Sequence, residues 1–155
     1  MTNSISSPFS YTNDELQLIE ERFDNHADWN TACFDRVKTA IRNDLRPKQY
    51  SVCCYCKWEL GQDIKKVDIE NIIPKSTYSA YTFHPLNLSL SCPSCNTSKG
   101  NKPVLVSDIT EYPIDGTSVK IVHPHFDDYN DHIEMYKDAI YEGYSVKGSE
   151  TIKIM

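Results

Sequence analysis

The chain has 155 residues, a net charge of −6, and hydrophobic and charged fractions of 39% and 25%. That length suits one domain with small embellishments, and the fractions are those of a soluble globular protein. The acidic balance excludes a protein that holds nucleic acid by charge alone, and no apolar run is long enough to span a bilayer.

In chain order, residues 1–10 read as a disordered leader, polar and serine-rich, without the apolar stretch of a secretory signal. Thr12 with Glu15 forms a capping-box pattern opening a helix whose apolar residues are Leu16, Leu18, Ile19 and Phe23. A second helix is expected from near Trp29–Thr31 to about Leu45, because Phe34, Val37, Ile41 and Leu45 recur at helical spacing; Pro47 is expected to end it. Val67–Ile69 alternates as a strand that Ile72–Ile73–Pro74 breaks. Leu86–Leu90 reads as a second strand, and Asn96–Lys102 as a short helix with Gly100 near its end. Val119–Val122 is β-like, and Ile133–Tyr136 and Ala139–Glu142 suit a hairpin around Lys137–Asp138. A last strand is expected over Thr151–Met155, an apolar edge that a further segment or a partner would cover.

The cytoplasm is the expected compartment, and there disulfides are disfavoured and paired cysteines bind metal more often. Of the six cysteines, Cys53-Cys54-Tyr55-Cys56 and Cys92-Pro93-Ser94-Cys95 each contain C-x-x-C. Two such pairs supply four thiolates for a tetrahedral Zn²⁺ site with no open position for water, hence a structural one. The knuckle spacing favours Cys53 over Cys54 as the ligand. Cys54 and Cys33 read as free thiols, Cys33 on a helix face in the core. Charge is unevenly placed: from Cys53 to Pro103 six lysines face four carboxylates, a balance of +2 that leaves −8 for the flanks.

Between the pairs stands Val67-Asp68-Ile69-Glu70-Asn71-Ile72-Ile73-Pro74-Lys75-Ser76. Asn87-Leu88 precedes the second pair, and Cys95-Asn96 is followed by Lys99-Gly100. This order resembles the HNH endonuclease family, whose zinc-bearing members carry a C-x-x-C pair, an acidic residue followed by histidine near Ile-Pro, and Asn-Leu before a second pair. "C-H" or "C-N" and "K-G" follow that pair. The resemblance covers roughly residues 53–103. It implies an α+β fold with a ββα-metal core and a structural four-cysteine zinc, preceded by two N-terminal helices and followed by a small β-rich tail. The corresponding division is a helical part over 11–47, a core over about 50–105 and an extension over 106–155, all one domain.

The resemblance also implies roles. Glu70 and Asn96 would be oxygen ligands to a catalytic Mg²⁺ or Mn²⁺, Asn87 would orient the general base, and Asn71 occupies the general-base position. There a histidine should stand, since imidazole takes up a proton near neutral pH and a carboxamide does not. The chain therefore reads as an impaired nuclease, either a disarmed copy of an active enzyme or a natural member that has lost catalysis. Lys75, Lys99 and Lys102 are the candidate phosphate contacts; the helix expected to open at Asn96 would add backbone donors for an anion. His84, His123 and His125 read as structural.

The full order, including His123-Pro124-His125-Phe126-Asp127-Asp128, looks like HNH proteins of anti-phage systems such as Septu and some retrons, which act with an SMC/ABC-like ATPase. The substrate this implies is nucleic acid, DNA in the first instance. Two alternatives stay open: a non-catalytic zinc-dependent module binding nucleic acid or protein, and an HNH nuclease cleaving RNA or tRNA.

Overall fold

Thr12 caps the first helix, α1 (Asn13–Arg22), by accepting the Glu15 amide at 3.2 Å. The computed structural model describes residues 3–63 and 66–155. Met1, Thr2, Ile64 and Lys65 lie outside them, and with them two leader residues and one of the six central lysines. α1 buries no residue fully; Leu18, Ile19 and Phe23 pack against the core, whereas Leu16 is exposed.

The chain then takes two short 3₁₀ turns, His26–Asn30 and Ala32–Phe34, before α2 (Asp35–Lys48). The second helix thus starts later than its apolar spacing suggested. Asn25 and Asp28 form a capping box on the first 3₁₀ turn, and Thr31 is extended, with φ −70° and ψ 134°. Pro47 does not end α2 but lies within its last turn, where a missing N–H removes only one bond of the ladder. Cys33, expected in the core, is exposed on the second 3₁₀ turn, because the helical register that would have buried it has not yet begun. Val37, Ile41 and Leu45 are buried together with Phe34.

β1 (Asp68–Asn71) pairs antiparallel with β2 (Leu88–Ser91), with Glu70 opposite Ser89 and Asn71 opposite Leu88. The first strand runs two residues beyond its expected end. The second starts late because Pro85–Asn87 form a 3₁₀ turn, capped by His84 Nδ1 accepting the Leu86 amide. α3 (Pro93–Lys99) follows directly and completes a ββα unit. It opens at Pro93 rather than Asn96, which lies well inside it. Its C-cap Gly100 has φ +50°, a conformation glycine adopts without steric cost.

The C-terminal third holds β3 (Ile133–Tyr136) and β4 (Ile140–Gly143), paired antiparallel. Lys137 and Asp138 have φ of 50° and 58°, as a type I′ hairpin turn requires. Val119–Val122 forms no strand; it makes one bridge, Val119 with Leu105, and is otherwise buried chain apart from Lys120. The final strand expected over Thr151–Met155 is instead the end of a helix, α4 (Val146–Ile152). Ser145 caps it through the Gly148 amide at 3.0 Å, and this register seats Ile152 against the small cluster of Val122, Tyr129 and Ile133 and Ile154 in the main core. The tail is therefore a hairpin and a helix.

Over its described residues, 3–10, the leader is docked against the core and not disordered as expected. Ile5 and Phe9 are buried, the Ile5 amide donates to Pro124 O at 2.7 Å and the Asn3 amide to Asp128 at 3.0 Å. The main core thus runs from Ile5 through Phe34, Ile41, Leu45, Leu88 and Leu90 to Ile154. No helix among the described residues is long and apolar enough to cross a membrane.

Gly148 lets α4 lie against the backbone of His132, whose carbonyl oxygen an added Cβ would strike, whereas Gly61 faces open space. Gly148→Ala is expected to lower unfolding free energy by about 1–3 kcal/mol, and Gly61→Ala to change it by less than about 0.5 kcal/mol, in urea titrations followed by circular dichroism.

Candidate functional site

Cys53, Cys56, Cys92 and Cys95 bring their sulfurs within 4.8 Å of one another, with Cys56 and Cys92 3.8 Å apart. Metal–sulfur bonds of about 2.3 Å in a tetrahedron put sulfurs about 3.8 Å apart, so the group fits one metal ion. Cys92 Sγ also accepts the Cys95 amide at 3.4 Å, so this N-terminal donor of α3 is engaged by a knuckle sulfur. Thiol donors from Cys54, Cys56 and Cys95 pull Cys53 strongly toward thiolate, while Cys56 is pushed up to about 12, mainly by Cys53. Cys54 is not one of the four: its buried thiol neighbours Cys53 and accepts from Ser89 Oγ at 3.4 Å, and burial raises its pKa. Cys53 is therefore the member of the first pair that joins the cluster. Among the described residues, only this cluster gathers three or more His, Cys, Asp or Glu ligands for an ion.

Beside it opens a cleft of about 410 Å³, lined by Asp68, Glu70 and Asn71 of β1, Asn96 of α3, Lys75, and Lys38 and Arg42 of α2. Residues two apart on a strand share a face, as do residues three apart on a helix. Asp68 and Glu70 thereby meet Asn96 and Lys99. Asn96 Nδ2 donates to Asp68 Oδ2 at 2.8 Å, and Lys99 Nζ lies 2.5 Å from Glu70 Oε1. The same Glu70 oxygen accepts from Tyr55 at 3.3 Å. Burial raises the Glu70 pKa above its ordinary value, and the Lys99 ammonium and the hydrogen bonds from Lys99 and Tyr55 offset only part of that rise. Glu70 and Asn96 both offer oxygen, the donor that Mg²⁺ and Mn²⁺ prefer.

Lys99, expected at a phosphate, is 1% exposed. Its ammonium is committed to Glu70 and to Asn71 O at 3.0 Å, so it cannot reach a substrate backbone. Lys102 is exposed but lies outside the cleft, whereas Lys75 lines it. The cations that sequence reading missed are Lys38 and Arg42, one turn apart on α2. Their spacing beside buried Val37 and Ile41 was legible, but a solvated helix face gives the same pattern. Lys38 and Lys75 flank the Trp29 ring, at 5.4 and 5.9 Å from its centroid.

Asn71 donates its Nδ2 to Thr82 O at 2.8 Å, while its Oδ1 is buried without a partner. Asn87 makes no hydrogen bond to the Asn71 side chain among the described residues. Its Nδ2 donates to Ile73 O and Tyr81 O, and its Oδ1 accepts the Ile73 amide at 2.7 Å and the Tyr112 hydroxyl at 3.1 Å. Asn87 thus clamps the loop that carries the Thr82 carbonyl, and that carbonyl meets the Asn71 side chain.

The histidines are built into this scaffold. His123 is fully buried, and its Nδ1 accepts the His125 amide at 3.2 Å. Its Nε2 must then carry the proton, donated to Tyr112 Oη at 3.0 Å; burial holds its pKa well below the ordinary value. His125 Nε2 bonds Leu88 O at 2.8 Å, and His84 stacks on Tyr112 at 4.1 Å. None of the three lines the cleft.

Cys92→Ser is expected to lose the metal and to unfold at lower temperature, since structural sites of this type contribute about 10 kcal/mol or more. Cys54→Ser should retain the metal. Elemental analysis and thermal denaturation of both variants check this.

The HNH endonuclease family model matches residues 53–102. Septu protein PtuB of Bacillus thuringiensis is 26% identical over 151 residues, which cover 97% of this chain and 51% of that protein. This chain therefore spans about half the length of that relative. No solved structure matches the chain. The matched span opens at the first cysteine of the cluster and closes just beyond α3, so the likeness to the HNH endonuclease family is carried by the segment that holds the cysteine cluster and the ββα unit.

Proposed function

We propose that the chain is a metal-dependent HNH endonuclease that hydrolyses phosphodiester bonds, with DNA as its substrate, and that the present sequence is impaired by Asn71. The observation that carries this reading is the bond from Asn71 Nδ2 to Thr82 O beside an orphaned, buried Oδ1. A histidine at this position would donate Nδ1–H to the same carbonyl. That bond fixes the tautomer and leaves Nε2 with its lone pair free as general base. The carboxamide reproduces the tether and has no base to offer.

Glu70 and Asn96 would hold Mg²⁺ or Mn²⁺, which when bound supplies positive charge to the scissile phosphate and the leaving oxygen. Lys99 holds one Glu70 oxygen inside the protein, and the other has no partner among the described residues. Lys75, Lys38 and Arg42 would carry the phosphates on either side of the cleft, and Lys102 would stand further out along the strand. The four cysteines suit Zn²⁺, as four thiolates in a closed tetrahedral set do.

The likeness to a Septu protein supports a place in bacterial anti-phage defence, as the effector nuclease acting in the cytoplasm. The acidic flanks support a partner that delivers substrate, and the SMC/ABC-like ATPase implied by resemblance fits that need. Co-elution of the two in gel filtration is the expected result, and separate elution under all nucleotide conditions would remove the partner from the proposal. Asn71 itself favours a second reading, a binding module that no longer cleaves.

Asn71→His is expected to nick supercoiled plasmid with Mg²⁺ or Mn²⁺ at about 10²–10⁴ times the rate of the present chain, and EDTA should abolish the activity. A revertant inert on DNA and on RNA would favour the binding module; cleavage of RNA alone would move the substrate class. In the revertant, replacing Lys38 and Arg42 by alanine should raise KM. It should also flatten the plot of log affinity against log salt by about one unit of slope per lost phosphate contact, whereas Lys102→Ala should change both less.

A further inference from the structure

We infer that Asp68 is a positioning residue for the proposed cation site: it holds the Asn96 carboxamide with the nitrogen toward itself and the oxygen toward the cleft. This rests on the nuclease reading above.

A carboxamide presents two chemically opposite ends of nearly equal size. Its oxygen ligates a hard cation, and its NH₂ group only donates. Half a turn of the terminal torsion exchanges them, and that torsion is soft. An asparagine ligand therefore needs something to decide which end meets the ion. Asp68 supplies it. A carboxylate has no proton to give, so the 2.8 Å bond to its Oδ2 forms only with Nδ2 of Asn96 turned inward. Bonds of this kind to an ionised acceptor are about twice as strong as neutral ones. Asn96 Oδ1 has no partner among the described residues and belongs to a side chain that lines the cleft with Asp68 and Glu70.

The backbone makes this arrangement specific. Asn96 and Lys99 sit three apart on α3 and meet Asp68 and Glu70, two apart on β1. Each helix residue is matched to one strand carboxylate, the inner pair held by charge and the outer by the amide. Metal sites use such outer partners to orient their ligands, and losing one costs about 10–100-fold in affinity.

The test is Mn²⁺ binding to the present chain with its cysteine site loaded, followed by the electron paramagnetic resonance signal of free Mn²⁺, so that no turnover is needed. Asp68→Asn is nearly isosteric but can donate as well as accept, so the preference is lost; affinity should fall about 10–100-fold. Asn96→Ala should fall at least as far, and adding Asp68→Asn to it should cost no more than about twofold further. Asn96→Asp offers oxygen in either orientation, so in that background Asp68→Asn should not weaken binding. Full additivity with Asn96→Ala, or weakening in the Asn96→Asp background, would reduce Asp68 to a nearby charge and overturn the inference. Unchanged affinity in Asp68→Asn, with loss in Asn96→Ala and Glu70→Ala, would overturn it while leaving the cation site standing. If Asn96→Ala and Glu70→Ala also bind normally, both the site and the inference fall.

Discussion

The four-cysteine cluster is the constraint on which the rest of the molecule depends. It joins Cys56 to Cys92 across 36 positions and closes a loop that contains both strands of the ββα unit. A domain of this size has a total stability of roughly 5–15 kcal/mol, and a metal held by four thiolates contributes energy of the same order. The second knuckle also fixes where α3 begins, because Cys92 is at once a member of the cluster and the helix cap. The position of Asn96 and Lys99 opposite β1 follows from that starting point.

On this frame the cleft is assembled from stretches far apart in the chain. β1 contributes carboxylates at alternate positions, and α3 contributes the Asn96 amide, with Lys99 on the same helix face sealed behind it against Glu70. The loop after β1 brings Lys75, and α2 brings Lys38 and Arg42 from the other side. The buried pair of Lys99 and Glu70 places two charges where water is scarce. Such a pair gives little net stability, so its value is geometric: one carboxylate oxygen is held inside. Behind the cleft, Asn87, Tyr112, His123 and His125 form a polar scaffold in which most donors and acceptors are matched. It stiffens the loop whose Thr82 carbonyl meets position 71. The C-terminal third supplies part of this scaffold, and residues 3–10 dock beside it through Asn3 and Ile5.

Two C-x-x-C pairs announced a metal cluster because ligand geometry demands that spacing locally. The first helix announced itself through Thr12 and Glu15, and the hairpin through its alternation around Lys137–Asp138. Thr151–Met155 misled because five residues rich in β-branched side chains suit a strand as well as a helix end. Ser145 and the close approach permitted by Gly148 decided between them. Residues 3–10 misled because a polar composition conceals two well-spaced anchors, Ile5 and Phe9.

The sequence by itself determined what is local or set by fixed spacing: the knuckles, the order of strand, strand and helix, the carboxylate beside position 71, and the excess of cations in the central segment. Only the tertiary structure decided which of those groups face one another. Lys99 and Lys75 are the same residue type in one short segment, yet one is sealed against Glu70 and the other lines the cleft. Asn87 grips the loop and not the side chain at 71, and Lys38 and Arg42 join the site from a helix some thirty residues before β1. Such assignments depend on distances between segments far apart in the chain, and no periodicity along the sequence encodes them.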